Sequence, residues 1–338
     1  MGRDVPRKQK GERSGKPASR HKGGKSGAKP RDLQHGKRER KNRKQRADKQ
    51  RKQKGSPNDT GTRSRSSLQS LHREAMYLGG EALVEKWMPE GKLLPHITCE
   101  ELIQAGLTQY KSHMIQLAGT SEIRDVLRTA LEERQPLSLV RLGDGELLSL
   151  AYETVMSPAE VHELGAFLPY AGVPVPDASV RRSLVHAIQS ADYIGVPISR
   201  KPAFQLLMFP LFEYYSLSIR ALKLTTSTIN YSLYQSGYLL PLLEGRRVLL
   251  IGNKAESVAE ELRRKGIQVT GTIYPVSGFQ DIDRVLALSS LYEYDIGLVA
   301  AGVPAVIICQ RIAAEYKKVA IDIGHVADEI VKDAAVLG

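Results

Sequence analysis

Two acidic residues, Asp144 and Glu146, stand one glycine apart directly after an apolar run at residues 137–143. Mg²⁺ and Mn²⁺ prefer hard carboxylate oxygens, and usually take only one or two carboxylates while water and substrate phosphates complete the shell. Gly143 precedes the pair, Gly145 separates its two members, and both glycines let the backbone approach a diphosphate closely. The spacing therefore predicts a divalent-metal site beside a diphosphate. The alternative is an ordinary polar turn, since Asp-Gly pairs form turns readily.

Further polar residues accompany other apolar runs. Lys254 follows the run at 247–252, at a predicted strand-to-helix turn where a helix N-terminus favours anions; the alternative is a solvated surface lysine. Asp322 and His325 lie within and after the last run, and Arg141 lies near the end of the first. Ligands of open α/β sheets bind outside the carboxyl ends of the strands, so a site is expected at these residues.

The elements that position these residues are short apolar runs that alternate with amphipathic helical patterns from Pro136 onward. Near-continuous apolar runs are typical of a parallel sheet that is covered on both faces. Their alternation with helices predicts an α/β fold with a doubly wound, mostly parallel, Rossmann-like sheet. The predicted strands are 137–143, 192–197, 247–252, 267–275, 296–302 and 318–324.

Local signals mark the ends of two predicted helices. Gly266 follows the helical pattern KAESVAEELRRK, where a C-cap glycine is expected. Thr98 precedes CEELIQAGL with Glu101 three residues later, which predicts a capping box.

The chain divides by charge into a basic tail and a remainder. Residues 1–66 hold 24 Lys and Arg against 6 Asp and Glu, a net charge of +18, while the remainder carries −6. The tail has almost no apolar residues, so it cannot offset the entropy of ordering its backbone. We predict a disordered basic tail at 1–66, a helical cap or linker at 67–119 and an enzyme domain at 120–338.

The composition also argues against several classes of protein. No apolar run reaches the roughly 20 residues that a membrane span needs, and no apolar stretch resembles a secretory signal. We therefore expect a cytoplasmic protein with no transmembrane segment. The two cysteines, Cys99 and Cys309, lie far apart without a CxxC spacing, so both are predicted to be buried apolar residues and not disulfide or zinc ligands.

Two separated motifs resemble a known family. The segment LVRLGDGE (139–146) resembles the signature of the bacterial GT-D type glycosyltransferases, formerly a domain of unknown function, and the closing segment AIDIGH (320–325) is similar to the end of that family's domain. The resemblance covers about residues 120–335. The aromatic and acidic residues expected around Glu329 are absent, which leaves its role open.

The resemblance implies a function and roles for individual residues. Asp144 and Glu146 match the family's motif for a metal, Mn²⁺ or Mg²⁺, and for the diphosphate of a nucleotide-sugar. Arg141 lies beside them, and Asp322 and His325 match the closing motif. The family implies a UDP-sugar donor and a protein or glycan acceptor.

A mechanism follows as a hypothesis. The metal would neutralise the diphosphate leaving group, with Arg141 or Lys254 as a second positive contact. Asp322 or His325 would accept the proton of the attacking hydroxyl as general base. The alternatives for Asp322 and His325 are a residue that holds the strand end and one that starts a helix.

Other interpretations remain open at this stage. GNKAES (252–257) resembles the start of a cofactor loop, which favours a methyltransferase-type enzyme, although the GxGxxG spacing is absent. A non-catalytic polyanion-binding or assembly protein is a third hypothesis. The tail would attract RNA, anionic lipid or wall polymers, or would only aid solubility. Asn230, Tyr231 and Tyr234 are candidates to touch a base or sugar, or are packing residues.

Overall fold

The computed structural model describes residues 60–173 and 177–337. Most of the predicted basic tail, residues 1–59, lies outside the described residues, so its disorder stays a prediction. The chain falls into two compact units, Met1–Gln109 and Tyr110–Gly338. No helix in the described ranges is both long enough and apolar enough to cross a membrane.

The described part of the first unit is helical. Helix α1 spans Thr60–Met76, a π-helical turn spans Tyr77–Glu81, and α2 (Ala82–Trp87) and α3 (Cys99–Gln109) follow. The capping box at the start of α3 is confirmed, because the Thr98 N–H donates to Glu101 Oε2 at 2.7 Å and the Glu101 N–H donates to Thr98 Oγ1 at 3.2 Å. Cys99 is only half-buried, contrary to prediction, and Cys309 is buried as predicted.

The second unit is built on a seven-stranded sheet in the order β3-β2-β1-β7-β6-β4-β5. All neighbouring strands pair in parallel, which confirms the predicted fold class. One strand, β3, was not predicted, since its three residues are too few to form a recognisable apolar run. The strands are β1 (Leu137–Arg141), β2 (Tyr193–Val196), β3 (Leu224–Thr226), β4 (Arg247–Gly252), β5 (Gln268–Ile273), β6 (Ile296–Ala300) and β7 (Val319–Asp322).

The central strands are buried on both faces, as their apolar runs predict. Successive side chains of a strand point to opposite faces, so Leu139 joins one core cluster and its neighbour Val140 joins the other. In β4, Leu249 and Ile251 pack on the Val140 side, while Val248 packs with Leu139. Two hydrophobic cores therefore sandwich the sheet.

Helices cover both cores. The helices with residues in the Val140 core are α5 (Asp144–Ala151), α6 (Pro158–Leu164), α7 (Ala178–Ser190), α8 (Gln205–Tyr214), α12 (Ile282–Ser289) and α13 (Pro304–Tyr316). Those with residues in the Leu139 core are α4 (Thr120–Glu132), α9 (Ile229–Gln235), α10 (Leu239–Leu243), α11 (Ala255–Arg264) and α14 (Val326–Leu337). The predicted C-cap glycine of α11 is confirmed: Gly266 has φ +80° and its N–H donates to the Arg263 carbonyl.

The chain leaves the neighbouring strands β1 and β7 toward opposite faces of the sheet. After β1 it enters α5, which packs in the Val140 core, and after β7 it enters α14, which packs in the Leu139 core. Such a divergence opens a crevice at the carboxyl ends of the two strands, where open α/β sheets bind ligands. The two motifs of the sequence end at this crevice.

Candidate active site

The β1 exit places Asp144 and Glu146 in the first turn of α5. Gly143 is the N-cap residue, and its backbone N–H donates to Glu146 Oε2 at 2.7 Å. Asp144 Oδ1 accepts from the Gly145 N–H at 3.0 Å. Both carboxylates are half-buried. The same two groups therefore cap the helix, as the polar-turn alternative requires, and keep further oxygen lone pairs for another ligand.

The carboxyl group of Glu146 is held in an environment that opposes its charge. Burial and then the negative charge of Asp322 raise its pKa to about 7, although the N–H groups of Gly143 and Glu146 and the charge of Arg141 act in the opposite direction. The positive charge of Arg141 therefore does not outweigh burial and the charge of Asp322 at the Glu146 carboxyl group.

Arg141, the last residue of β1, joins three strand ends. Its Nη2 donates to Asp322 Oδ1 at 2.8 Å and its Nε donates to the Asp322 carbonyl at 3.0 Å. Its Nη1 donates to the carbonyl of Ser227, directly after β3, at 3.2 Å. The two side chains of the ion pair are only 17% and 4% exposed. Burial disfavours the guanidinium charge, yet Asp322 and then Glu146 outweigh burial and raise the pKa of Arg141.

Two glycines make room for the Arg141 side chain. A Cβ on Gly195 of β2 would lie 3.1 Å from Arg141 Cγ, and a Cβ on Gly324 would overlap the guanidinium. Gly324 also has φ +45°, in the left-handed region that favours glycine. The two motifs that carry the family resemblance are therefore in direct contact: the arginine of the first pairs with Asp322 and fills the space above Gly324 of the second.

His325 and Lys254 lie at the starts of α14 and α11. The carbonyl of His325 accepts from the N–H groups of Asp328 and Glu329, and its side chain is exposed. Lys254 is the N-cap residue of α11, and its Nζ lies 3.6 Å from Asp328 Oδ1 with 58% of the side chain exposed. Both side chains are accessible to a ligand, and their predicted roles stay predictions.

Gly145 serves the packing of the domain. It is buried, and a Cβ there would lie 3.1 Å from Val303 Cγ2 and 3.6 Å from Phe167. Gly143 is half-buried, and a Cβ there would meet Glu146 Oε2 at 3.2 Å. The missing side chain of Gly145 thus allows α5 to approach the segment before α13. Contact of either glycine with a diphosphate stays a prediction.

The donor set of the crevice fits a Mg²⁺ or Mn²⁺ ion. Within residues 60–173 and 177–337, no three His, Cys, Asp or Glu residues form a metal-holding group. Proteins nevertheless usually supply only one or two carboxylates to these ions. Burial and then the negative charge of Asp322 raise the pKa of Glu146, and a cation bound beside it would favour the charged form of its carboxyl group. Asp322 Oδ1 accepts from Arg141, so Asp144 and Glu146 are the residues that would hold the ion.

Sequence reasoning missed part of this site. Ser227 follows the unpredicted strand β3, so nothing in the sequence indicated that it contacts Arg141. For Gly195 the sequence does hold a signal, since a glycine inside a strand often marks the close approach of another group. Asn230, which the sequence analysis named as a candidate contact to a base or sugar, is buried. Its Nδ2 donates to the Ile323 carbonyl at 2.7 Å, and its Oδ1 has no hydrogen-bond partner among the described residues. Its contact with a ligand stays a prediction.

Comparison with known proteins places the chain in a family. A family model for a GT-D fold-like domain matches residues 118–330. Two solved structures of the domain of unknown function 1792, one substituted with selenomethionine and one described as having a distinct glycosyltransferase fold, are each 17% identical, cover 66% of this chain and 82% of their own, and have TM-scores of 0.45. No curated protein matches the sequence. Because the family model spans more than half of the chain, the chain belongs to the GT-D-like domain family, and this membership makes it a glycosyltransferase.

Proposed function

We propose that this glycosyltransferase depends on Mn²⁺ or Mg²⁺ held by Asp144 and Glu146, and that it moves a sugar from a nucleotide-sugar, with UDP as the expected nucleotide, to a protein or glycan acceptor. The observation that carries the proposal is the pair of half-buried carboxylates at the β1–β7 crevice, one of which has its pKa raised to about 7. A divalent cation there would neutralise the charge that develops on a leaving diphosphate.

Arg141 acts as a fixed positive charge in this mechanism. Its bonds to Asp322 and Ser227 prevent it from swinging toward a ligand. It therefore contributes by its electrostatic field and by the shape of the crevice, and Lys254 is the mobile cation that can reach a phosphate.

His325 suits the role of general base better than Asp322 does. The imidazole of His325 is exposed at the start of α14, and a neutral imidazole has a ring nitrogen that can accept a proton. Asp322 is almost fully buried, and one of its carboxylate oxygens is bonded to Arg141, so an acceptor hydroxyl has little access to it. We assign the proton transfer to His325 and a positioning role to Asp322.

The cofactor-dependent alternative gains no support from the GNKAES segment. The space beside Gly252 holds the backbone of Ala300, so this glycine serves strand packing. Both ends of the Asn253 amide bond the backbone of Val276, at 3.1 Å and 2.8 Å. The polyanion affinity of the tail and a cytoplasmic location rest on the sequence alone.

Calorimetric titration of the full-length protein with UDP, with and without Mn²⁺, tests the proposal. The basic tail attracts nucleotides regardless of metal, so only the metal-dependent part of the affinity is diagnostic. We expect Mn²⁺ to strengthen UDP binding at least tenfold, and Asp144→Asn to abolish that gain. Glu163→Gln, an exposed carboxylate of α6, is the matched control. Binding that is indifferent to metal would contradict the proposal.

A further inference from the structure

A second concave surface lies beside the crevice, between α9 and α10 on one side and α14 on the other. This α9–α14 cleft has a volume of about 630 Å³, within the roughly 300–1,000 Å³ of small-molecule sites. Its lining residues are Tyr234, Gln235, Leu240, Glu329, Lys332 and Asp333.

Hydrogen bonds hold the walls of the cleft together. Tyr234 donates its hydroxyl to Asp333 Oδ2 at 2.7 Å, which joins the end of α9 to the middle of α14. At the start of α9, Asn230 Nδ2 donates to the carbonyl of Ile323, directly after β7, at 2.7 Å. The cleft is therefore formed before any ligand binds.

The cleft begins next to the β1–β7 crevice. Asn230 ties the start of α9 to the β7 exit, and Tyr234 and Gln235 of the same helix line the cleft. A molecule in the cleft would thus contact the helix that begins at the β7 exit.

The lining has the chemistry of a site for hydroxyl groups. The side chains of Gln235, Glu329 and Lys332 make no hydrogen bond or ion pair with any residue in the described ranges, so their polar atoms are available to a ligand. Ligand pockets are usually lined mainly by apolar groups, whereas here Leu240 is the one aliphatic lining residue. Two carboxylates beside one ammonium group disfavour an anionic ligand. A neutral polyhydroxyl molecule, whose groups both donate and accept, satisfies this set.

We propose that the α9–α14 cleft binds the acceptor, and that this acceptor is a neutral glycan. The inference rests on the proposed function, because it places the acceptor beside the donor site at the β1–β7 crevice. It narrows the choice between a protein and a glycan acceptor to the glycan.

An array of neutral glycans, acidic glycans and basic peptides, probed with the full-length protein, tests the proposal. We expect binding to neutral glycans, and the double variant Glu329→Gln/Asp333→Asn should keep about a tenth of that signal or less, because both substitutions preserve shape and remove charge-assisted hydrogen bonds. Glu163→Gln should keep the full signal, and thermal unfolding would show that both variants are folded. Capture of only acidic glycans or only basic peptides, no capture, or a neutral-glycan signal that the double variant keeps would each overturn the proposal.

Titration of the same double variant with UDP and Mn²⁺ separates this inference from the proposed function. Unchanged nucleotide affinity supports an acceptor cleft, whereas a tenfold loss would show that the cleft holds the donor and would overturn the inference. If the wild-type protein binds neutral glycans through the cleft but binds no nucleotide, the donor proposal fails and the glycan site stands.

Discussion

The exits of β1 and β7 lie side by side, yet their carboxylates are in different electrostatic states. Asp322 at the end of β7 is buried and paired with Arg141 at 2.8 Å. Among the described residues, Glu146, after β1, has backbone N–H groups as its hydrogen-bond partners, and burial and then the charge of Asp322 raise its pKa to about 7. The comparison teaches that similar acidic residues at one crevice can differ in charge compensation: Asp322 is paired with a guanidinium, whereas Glu146 is not, and the proposed cation would bind at Glu146.

The largest stability effect is expected at the paired side. Arg141→Met should lower the free energy of unfolding by about 3–5 kcal/mol, because it leaves the Asp322 carboxylate buried without its partner. Urea denaturation measures the loss. The double variant Arg141→Met/Asp322→Leu should recover much of it, and a loss below about 1 kcal/mol in the single variant would contradict the pairing.

The raised pKa of Glu146 should make the stability of the metal-free protein depend on pH. The pKa of Glu146 is raised in the folded state, so folded protein binds the proton more tightly than unfolded protein does between pH 4.5 and about 7. This contribution to stability is complete below pH 4.5 and is lost as the pH rises through about 7, by at most about 3 kcal/mol.

Glu146→Gln should remove this part of the pH dependence. The measurement is thermal or urea unfolding of the wild type and the variant in EDTA at several pH values. Parallel stability curves from pH 4.5 to 8 would show that Glu146 ionises normally and would remove the distinction between the two carboxylates.

The contact between the motifs predicts a smaller effect at Gly324. Gly324→Ala should cost about 2–3 kcal/mol, since the methyl group would meet the Arg141 guanidinium and the residue has a positive φ. Gly266→Ala is the matched control, because Gly266 has φ +80° with nothing within 4 Å of an added Cβ. We expect about 1 kcal/mol there. Equal costs at the two glycines would argue against a tight Arg141 contact.

The smallest effect is expected at Lys254, the exposed cation of the crevice. Its distance of 3.6 Å from Asp328 and its exposure make the ion pair weak, so Lys254→Ala should leave stability within about 0.5 kcal/mol. The KM for the nucleotide-sugar should rise about two- to fivefold with kcat nearly unchanged, as steady-state kinetics would measure. A loss in kcat alone would place Lys254 at the reacting atoms instead.

The sequence predicted the elements better than the contacts between them. Six of the seven strands follow from apolar runs, and Gly266 and the Thr98–Glu101 box mark their helix ends correctly. The motif residues were found because strand exits in an α/β sheet are where ligands bind. The family resemblance assigned the two motifs to one function, but it did not predict that they are in contact.

The division of work between the carboxylates lay beyond sequence reasoning. Arg141 and Asp322 are 181 positions apart, and no local pattern shows that they pair. Asp322 was predicted as a general base because its residue type allows that role. Only the burial and the ion pair seen in the fold favour positioning instead. Strand β3, and with it Ser227, was not predicted because a strand of three residues is too short to show a recognisable hydrophobic pattern.

Direct Mn²⁺ binding to the full-length protein, followed by the loss of the free-ion electron paramagnetic resonance signal, tests the central claim most directly. Residues 1–66 carry a net charge of +18, which disfavours Mn²⁺ binding there. We expect Asp144→Asn and Glu146→Gln each to weaken Mn²⁺ binding at least tenfold, while Asp322→Asn, confirmed as folded, changes it less than threefold. Undiminished binding in the first two variants, or a loss confined to Asp322→Asn, would contradict the account.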